Sequence, residues 1–165
     1  MTEQAEPHWL SPDEQQAWIG VTAVMWLLPG PLDAQLERDS GLHLFDYFVL
    51  SSLSMAEGRQ RRMSELALQS NASPSRLSNV VGKLEARGWV SRHPHEHDRR
   101  STVATLTEAG WDKVVEAAPG HVAAVRRLLV DRLTPAQLEA LREVGSVVAR
   151  QVLGDCWADE VLGER

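Results

Sequence analysis

Apolar side chains recur every three or four residues over most of this chain, which is the spacing of helices that bury one face. The segment 12–28 has two such stripes, so this helix needs two partners, its own domain and a second surface. Pro29-Gly30-Pro31 then predicts a stop or a sharp kink, because proline disrupts a helix interior. The two stripes consist of Trp18, Val21, Met25 and Leu28, and of Ile19, Ala23 and Trp26.

The C-terminal part of the chain predicts two further helices, 107–133 and 134–152. The first of them contains Pro119-Gly120, where a bend is expected. A second subunit would cover the apolar faces that these flanking helices present, as in a dimer with two-fold symmetry. The stripe of the last helix consists of Leu138, Leu141, Val144, Val147, Val148 and Val152.

Three of the predicted helices begin with the same signal, a hydroxyl cap followed by proline, at Ser11-Pro12, Ser73-Pro74 and Thr134-Pro135. Two of them continue with Glu14 or Gln137 at the third helical position, which completes a capping box. The middle helix has Arg76 there, where the helix dipole opposes a cation by roughly a few tenths of a kcal/mol. A cation in this position indicates an external anion, and DNA fits best.

The helix that begins at Ser73 has the two faces of a recognition helix. A short helix over 63–71, with Leu66 and Ala67 facing inward, precedes it, and the turn 70–72 joins the two as a helix-turn-helix. Short hydrogen-bonding groups and cations opposite the apolar stripe suit base edges and phosphates. The stripe consists of Leu77, Val80, Val81 and Leu84, and the polar face of Ser75, Arg76, Ser78, Asn79, Gly82 and Lys83.

The segment after this helix predicts a β-hairpin wing. Gly88 is expected to end the helix as a left-handed cap. The segments 89–93 and 102–106 alternate apolar and polar residues, as paired strands do. The polar connection between them ends in Arg99 and Arg100.

These motifs resemble the MarR family of winged helix-turn-helix regulators over residues 12–153. The resemblance is carried by Ser75-Arg76-Leu77-Ser78, the Leu-Glu-x-x-Gly-Trp-Val pattern from Leu84 to Val90, Asp98-Arg99-Arg100, and Leu106-Thr107. It implies an obligate homodimer, a palindromic site in double-stranded DNA, and repression that a small ligand, a metal or oxidation relieves. It also implies that Asp98 braces Arg100 in the minor groove while Arg99 contacts a phosphate.

The expected fold is therefore mainly α with a small β-hairpin wing, in a single domain over 1–165. Dimerisation helices are expected over 12–40 and 107–153, the DNA-binding lobe over 42–106, and loose termini over 1–10 and 155–165. The predicted DNA-binding residues are Ser73, Ser75, Arg76, Ser78, Asn79, Lys83, Asp98, Arg99 and Arg100.

Charge agrees with this prediction once it is considered locally. The chain has 17 Lys and Arg against 23 Asp and Glu. Residues 58–100 nevertheless carry a net +5 and the remainder −11, which would orient one face towards a duplex. We found no apolar run long enough for a membrane span and no leader sequence, so a soluble cytoplasmic protein is expected.

An effector site is harder to predict. A pocket between dimerisation helices and the DNA-binding lobe suits a small aromatic or amphipathic ligand. Its candidate walls are Trp18, Trp26, His43, Phe45 and Asp46, although packing in the core or at an interface is the better explanation for each of them.

Other chemistry is less favoured by the sequence. His93, His95 and His97 share a strand spacing that could hold zinc, but Pro94 interrupts it and a wing tip offers no burial, so no metal or other cofactor is predicted. Cys156 lies in an acidic segment that disfavours a reactive thiolate. No enzymatic motif is present. The alternative function is a winged-helix adaptor between proteins, which would have little use for cations on both helix and wing.

Overall fold

The three predicted caps begin helices in the computed structural model of this chain, which describes residues 7–96, 98 and 100–154. Ser11 Oγ accepts the Glu14 N–H, and Glu14 Oε2 accepts the Ser11 N–H at 2.7 Å. Hydrogen bonding of the Glu14 carboxyl to the Ser11 backbone N–H, and secondarily to the Ser11 side chain, lowers the pKa of this carboxyl. Ser73 Oγ accepts the Arg76 N–H at 3.3 Å, but no reciprocal capping box forms there among the described residues. The middle helix thus starts without the acidic partner, as its sequence predicts.

The helices and strands follow the predicted order, with an additional helix over Leu44–Met55 and an additional strand over Gln60–Arg62. The helices are α1 Pro12–Leu27, α2 Pro29–Ser40, α3 Leu44–Met55, α4 Met63–Gln69, α5 Pro74–Ala86, α6 Glu108–Leu128 and α7 Pro135–Leu153. The strands are β1 Gln60–Arg62, β2 Val90–Pro94 and β3 Thr102–Leu106, and short 3-10 turns occupy Glu57–Arg59 and Val130–Arg132. Among the described residues this confirms a mainly helical fold with a small wing.

The wing is a three-stranded antiparallel sheet in the order β1-β3-β2. Val90 pairs with Leu106 and Pro94 with Thr102 across the predicted hairpin. β1, which pairs Arg61 with Ala104, was missed because three polar residues carry no alternation signal. The third strand fixes the base of the wing to the helix-turn-helix, since α4 starts at the next residue.

A common core lies beneath α3, α4, α5 and the sheet. α3 passes through its centre, with Val49, Leu50 and Leu53 fully buried. The recognition helix adds Leu77, Val81 and Leu84, as its stripe predicted, whereas Val80 is only partly buried. Leu66 and Ala67 of α4 are buried as expected. This packing holds α5 by one face and leaves the opposite face in solvent.

Residues with positive φ angles follow the ends of α4 and α5, the two helices of the helix-turn-helix. Asn71, at φ 46°, reverses the chain between α4 and α5, and asparagine tolerates this left-handed region better than most residues. Gly88, at φ 75°, follows the end of α5 and confirms the predicted left-handed cap.

Pro29 separates α1 from α2 as predicted. α1 ends at Leu27, and Pro29 is the first residue of α2. α2 packs into the chain with Leu32, Gln35 and Leu36 buried, whereas α1 buries no residue at all. α7 likewise buries none, and Val144, Val147 and Val152 are more than half exposed.

The segment Pro12–Ser40 is long and apolar enough to cross a membrane by length and composition. The expectation that the chain contains no such run was therefore wrong. Its second half, α2, carries four charged residues, packs against α3 and α6, and buries Leu32, Gln35 and Leu36, so it is part of the folded chain rather than of a membrane span. α1, the first half, exposes several large apolar side chains, including Trp26 and Leu27.

His121 on α6 predicts a loss of stability in mild acid. Its ring packs against Tyr47, with ring centres 4.6 Å apart and planes tilted by 49°, and its Nδ1 has no hydrogen-bond partner within the described ranges. Burial lowers its pKa from the usual value of 6.5. The unfolded chain therefore takes up this proton first. We expect the free energy of unfolding to be unaffected above pH 6.5 and to fall as the pH drops from 6.5 through the folded-state pKa.

Urea unfolding at several pH values between 8 and 5 checks this expectation. His121→Phe keeps an aromatic ring against Tyr47 and should remove the pH dependence in this window. His93→Gln, at an exposed position, should retain it. A His121→Phe protein with the same acid sensitivity as the native chain would contradict the assignment.

Candidate nucleic-acid interface

The exposed face of α5 carries the side chains predicted to reach DNA. Ser75, Asn79 and Lys83 point away from the core and are exposed. Ser73 caps the helix, and its Oγ lies 3.2 Å from that of Ser75. Short polar groups and one cation thus occupy the side of the helix that nothing in the described chain covers.

Ser78 lies on the flank of α5 that faces the wing. It borders a cleft of about 330 Å³ together with Arg92 and Arg100, so recognition helix and wing meet around one opening. Arg92 is held by Glu85, with Nε 2.9 Å and Nη2 2.5 Å from Glu85 Oε2. This pairing lowers the pKa of the Glu85 carboxyl. Among the described residues, the side-chain donors of Ser78 and Arg100 have no partner, which leaves them available to an external ligand.

Asp98 braces Arg100 through the backbone. Its Oδ1 accepts the Arg100 N–H at 3.1 Å, and its Oδ2 accepts the Ser101 hydroxyl at 2.6 Å. The Ser101 hydroxyl lowers the Asp98 pKa most, followed by the Arg100 N–H, with the charges of Arg62 and His95 contributing less. Asp98 thus fixes the turn that presents Arg100. Arg99, the predicted phosphate contact, lies outside the described residues, as do His97 and Cys156.

Arg76 lies on the other flank of α5, against α3. Its guanidinium carbon is 4.3 Å from the centre of the Phe45 ring, in a cation–π contact. The two residues were predicted for different sites, Arg76 for DNA and Phe45 for an effector. The structure brings them together, which no spacing along the chain indicated.

Arg76 and Phe45 also border the same open cavity of about 540 Å³. α2, α3 and the helix-turn-helix turn surround it, and its lining is Pro29, Gly30, Asp33, Leu44, Phe45, Phe48, Gln69, Ser70, Asn71 and Arg76. Of the five predicted effector residues, only Phe45 borders it. Trp18 and Trp26 lie on α1 with 53% and 78% of their surfaces exposed.

Several cations of the basic segment are already paired. Arg59 stacks on Trp111 at 4.1 Å and binds Glu108 at 3.0 Å. Arg62 donates to His95 Nε2 at 3.1 Å. The net charge of +5 over residues 58–100 therefore overstates how many cations are available to bind an anion. Arg76, Lys83 and Arg100 form no ion pair in the part of the chain that the structure describes.

The described wing histidines do not converge on one point. His93 Nε2 lies 2.9 Å from Thr105 Oγ1, while His95 contacts Arg62. Asp33, Glu37 and His43 could hold a metal ion instead, since their ligand atoms lie within 4.8 Å of one another. Sequence reasoning missed this group because the loop after α2 folds His43 back over the helix. Asp33 already caps α3 by accepting the Leu44 N–H at 2.7 Å.

Comparison with known proteins identifies this arrangement. Residues 40–101 match the family model described as the MarR family. Over 102 residues the chain is 33% identical to the HTH-type transcriptional repressor Rv2887 of Mycobacterium tuberculosis, covering 62% of this chain and 72% of that protein. The chain belongs to the MarR family.

Solved structures of MarR family regulators extend the likeness beyond the lobe. Sco3205 of Streptomyces coelicolor, crystallised in complex with DNA, has 40% identity and a TM-score of 0.82 over 90% of this chain and 92% of its own. AbsC of the same organism has 38% identity and a TM-score of 0.81 over 90% of this chain and 100% of its own.

Curated MarR family relatives are matched over a shorter stretch. The transcriptional repressor MprA of Escherichia coli is 30% identical over 82 residues, which are 50% of this chain and 47% of that protein. The chain thus spans about half of MprA. The MarR family consists of transcriptional regulators rather than enzymes, in agreement with the sequence prediction.

Proposed function

We propose that this MarR family regulator is a homodimeric repressor that binds a palindromic operator and is released by a small molecule. The cleft shared by α5 and the wing carries this proposal, because it places Ser78 of the recognition helix beside Arg100 of the wing. The exposed side of α5 also carries Lys83 and Arg76, which lack ion-pair partners among the described residues. One duplex could contact all four side chains.

α5 suits the major groove. Ser75, Ser78 and Asn79 are short enough to donate and accept at base edges, with Lys83 placed for a phosphate. Arg100 would enter the adjacent minor groove, where an arginine reads width and A·T content more than base sequence. Sco3205, which shares 40% identity with this chain, was crystallised in complex with DNA, which supports DNA binding in general.

Exposed apolar helices support the dimer. α1 and α7 expose side chains such as Met25, Trp26 and Val147 to an extent that is costly in water. A second copy would cover them over 12–40 and 107–153 and leave 42–106 as the DNA-binding lobe. Two lobes related by two-fold symmetry would match two half-sites about one helical turn apart. The protein would then act in the cytoplasm, where its DNA lies.

The cavity beside α3 is our proposed effector site. Phe45, Phe48 and Leu44 give it apolar walls, and Arg76 and Asp33 give it charged edges, which suits a small aromatic or amphipathic ligand. A ligand there would contact both α2 and α5, that is, a dimerisation helix and the recognition helix. To release DNA, the ligand must bind the dimer more tightly at one spacing of the two DNA-binding lobes than at another. Such a difference in binding free energy is typically about 1–3 kcal/mol.

A salt-dependent titration tests the DNA-binding part. The purified protein is titrated against the DNA upstream of its own gene and against a scrambled duplex, at several salt concentrations. We expect preferential binding of two subunits per site, with affinity falling steeply as salt rises. Weak binding to both duplexes, without preference, would favour the adaptor alternative.

Arg100→Ala should weaken binding to preferred and scrambled duplexes alike. Loss of one phosphate or minor-groove contact should lower the slope of log affinity against log salt by about one. Arg127→Ala removes the same charge from an exposed position on α6 and serves as the control. Unchanged affinity in Arg100→Ala would exclude this arginine from the interface, whereas an equal loss in Arg127→Ala would show a general effect of charge rather than a contact of the wing.

A further inference from the structure

The Phe45–Arg76 stack holds in place one cation of the proposed DNA-binding face. Arg76 is exposed near the start of α5, and Phe45 lies near the start of α3, partly buried against the core. The guanidinium carbon lies 4.3 Å from the ring centre. Phe45 in turn stacks on Phe48, with ring centres 6.4 Å apart and planes inclined by 19°. The aromatic platform beneath Arg76 is therefore part of the core helix rather than of a loop.

Stacking leaves the donors of Arg76 available. A guanidinium that lies on a ring uses its face, so its five N–H groups still point outward in its plane. None of them has a hydrogen-bond or ion-pair partner in the described ranges. The stack also offsets the unfavourable position of this cation at the positive end of the α5 dipole.

The other free cations of this face have no such platform. Lys83 and Arg100 make no ring contact within the residues that the structure describes, although the Arg100 backbone is held by Asp98. A long side chain that is ordered before binding loses less conformational entropy when it contacts a ligand. Arg76 is thus the cation of this face with the most restricted side chain.

We infer that Phe45 is a specificity-determining positioning residue, which aims the Arg76 guanidinium at one base position in each half-site. Phe45 itself contacts no DNA in this scheme and acts through Arg76. The inference rests on the proposed DNA-binding function. Because Phe45 and Arg76 both border the cavity, a ligand that separates them would also alter DNA recognition at that base position.

A double-mutant cycle on the full-length protein tests this role. Affinity is measured for the native chain, Phe45→Leu, Arg76→Gln and the double variant on the preferred duplex and on duplexes with each half-site base changed in turn. Phe45→Leu keeps an apolar side chain but removes the ring, and Phe45→Tyr restores the ring. Trp111→Leu is the matched control, because it removes the ring beneath Arg59, also a close stack at 4.1 Å.

We expect Phe45→Leu to lower affinity for the preferred duplex about fivefold, which corresponds to about 1 kcal/mol. It should flatten the preference at the base position that Arg76→Gln affects. It should have no further effect when Arg76 is already Gln, and Phe45→Tyr should restore native behaviour. Trp111→Leu should lower thermal stability without altering base preference.

Several results would overturn the inference. Additive losses in the double variant would show that the two residues act independently. A uniform loss on every duplex in Phe45→Leu, or an altered preference in Trp111→Leu, would indicate a general effect of destabilisation. Absence of preferential binding by the native chain would instead refute the proposed function itself, so the two failures are distinguishable.

Discussion

Gly110→Ala should destabilise the fold by about 3 kcal/mol or more. Gly110 lies in the first turn of α6, where a Cβ would lie 2.1 Å from the Trp89 carbonyl oxygen and 2.7 Å from Leu106 Cδ1. The first of these atoms belongs to the backbone and cannot rotate away. Overpacking of a core typically costs about 1–3 kcal/mol, and a backbone clash lies at or above the upper end.

Hydrogen bonds around Gly110 would be disturbed as well. Trp89 O accepts the Thr107 N–H at 3.0 Å, Thr107 Oγ1 donates to Gly88 O at 2.7 Å and accepts the Gly110 N–H at 3.0 Å. This network joins the end of the recognition helix, the base of the wing and the start of α6. Moving α6 outward with its cap Thr107 to admit a methyl group would lengthen the two bonds from Thr107 to Trp89 and Gly88.

Urea denaturation at fixed protein concentration measures the effect. Gly145→Ala is the control, because Gly145 is also helical but has nothing within 4 Å of an added Cβ. There we expect unchanged stability or a gain of up to about 1 kcal/mol from helix propensity. Similar stability of the Gly110→Ala and native proteins would refute the close contact.

Val148→Glu should separate the proposed dimer and lower DNA affinity by about a hundredfold or more. Val148 lies on the apolar stripe of α7, and 55% of its surface is exposed. A carboxylate there would be buried against apolar side chains of the partner, at a high desolvation cost. Two linked lobes gain about 10²–10⁴ in affinity over one, and a monomer would forfeit this gain.

Analytical ultracentrifugation and DNA titration together check this prediction. Arg142→Gln changes the charge of α7 by the same one unit but on a different face, where Arg142 forms an exposed ion pair with Glu139. It should remain dimeric and bind DNA normally. A dimeric Val148→Glu protein with native affinity would show that α7 does not form the interface.

Much of this molecule was determined by local sequence. The caps at Ser11, Ser73 and Thr134 start helices where predicted, because capping depends on residues only three positions apart. The apolar stripe of α5 predicted its buried face, because a helix fixes the relative directions of its side chains. The β2–β3 hairpin followed from alternation in the same way. These features also sufficed to indicate the family.

Contacts between residues far apart in the sequence could be identified only from the tertiary structure. β1 pairs with β3 although some forty residues separate them, and three polar residues gave no sign of it. Arg76 meets Phe45, and Arg59 meets Glu108, only because α3 lies at the centre of the core and the sheet closes against α6. Side-chain periodicity specifies which face of an element is buried but not which element covers it. The cavity next to Arg76, and with it the proposed link between effector and DNA, therefore emerged only from the packed helices.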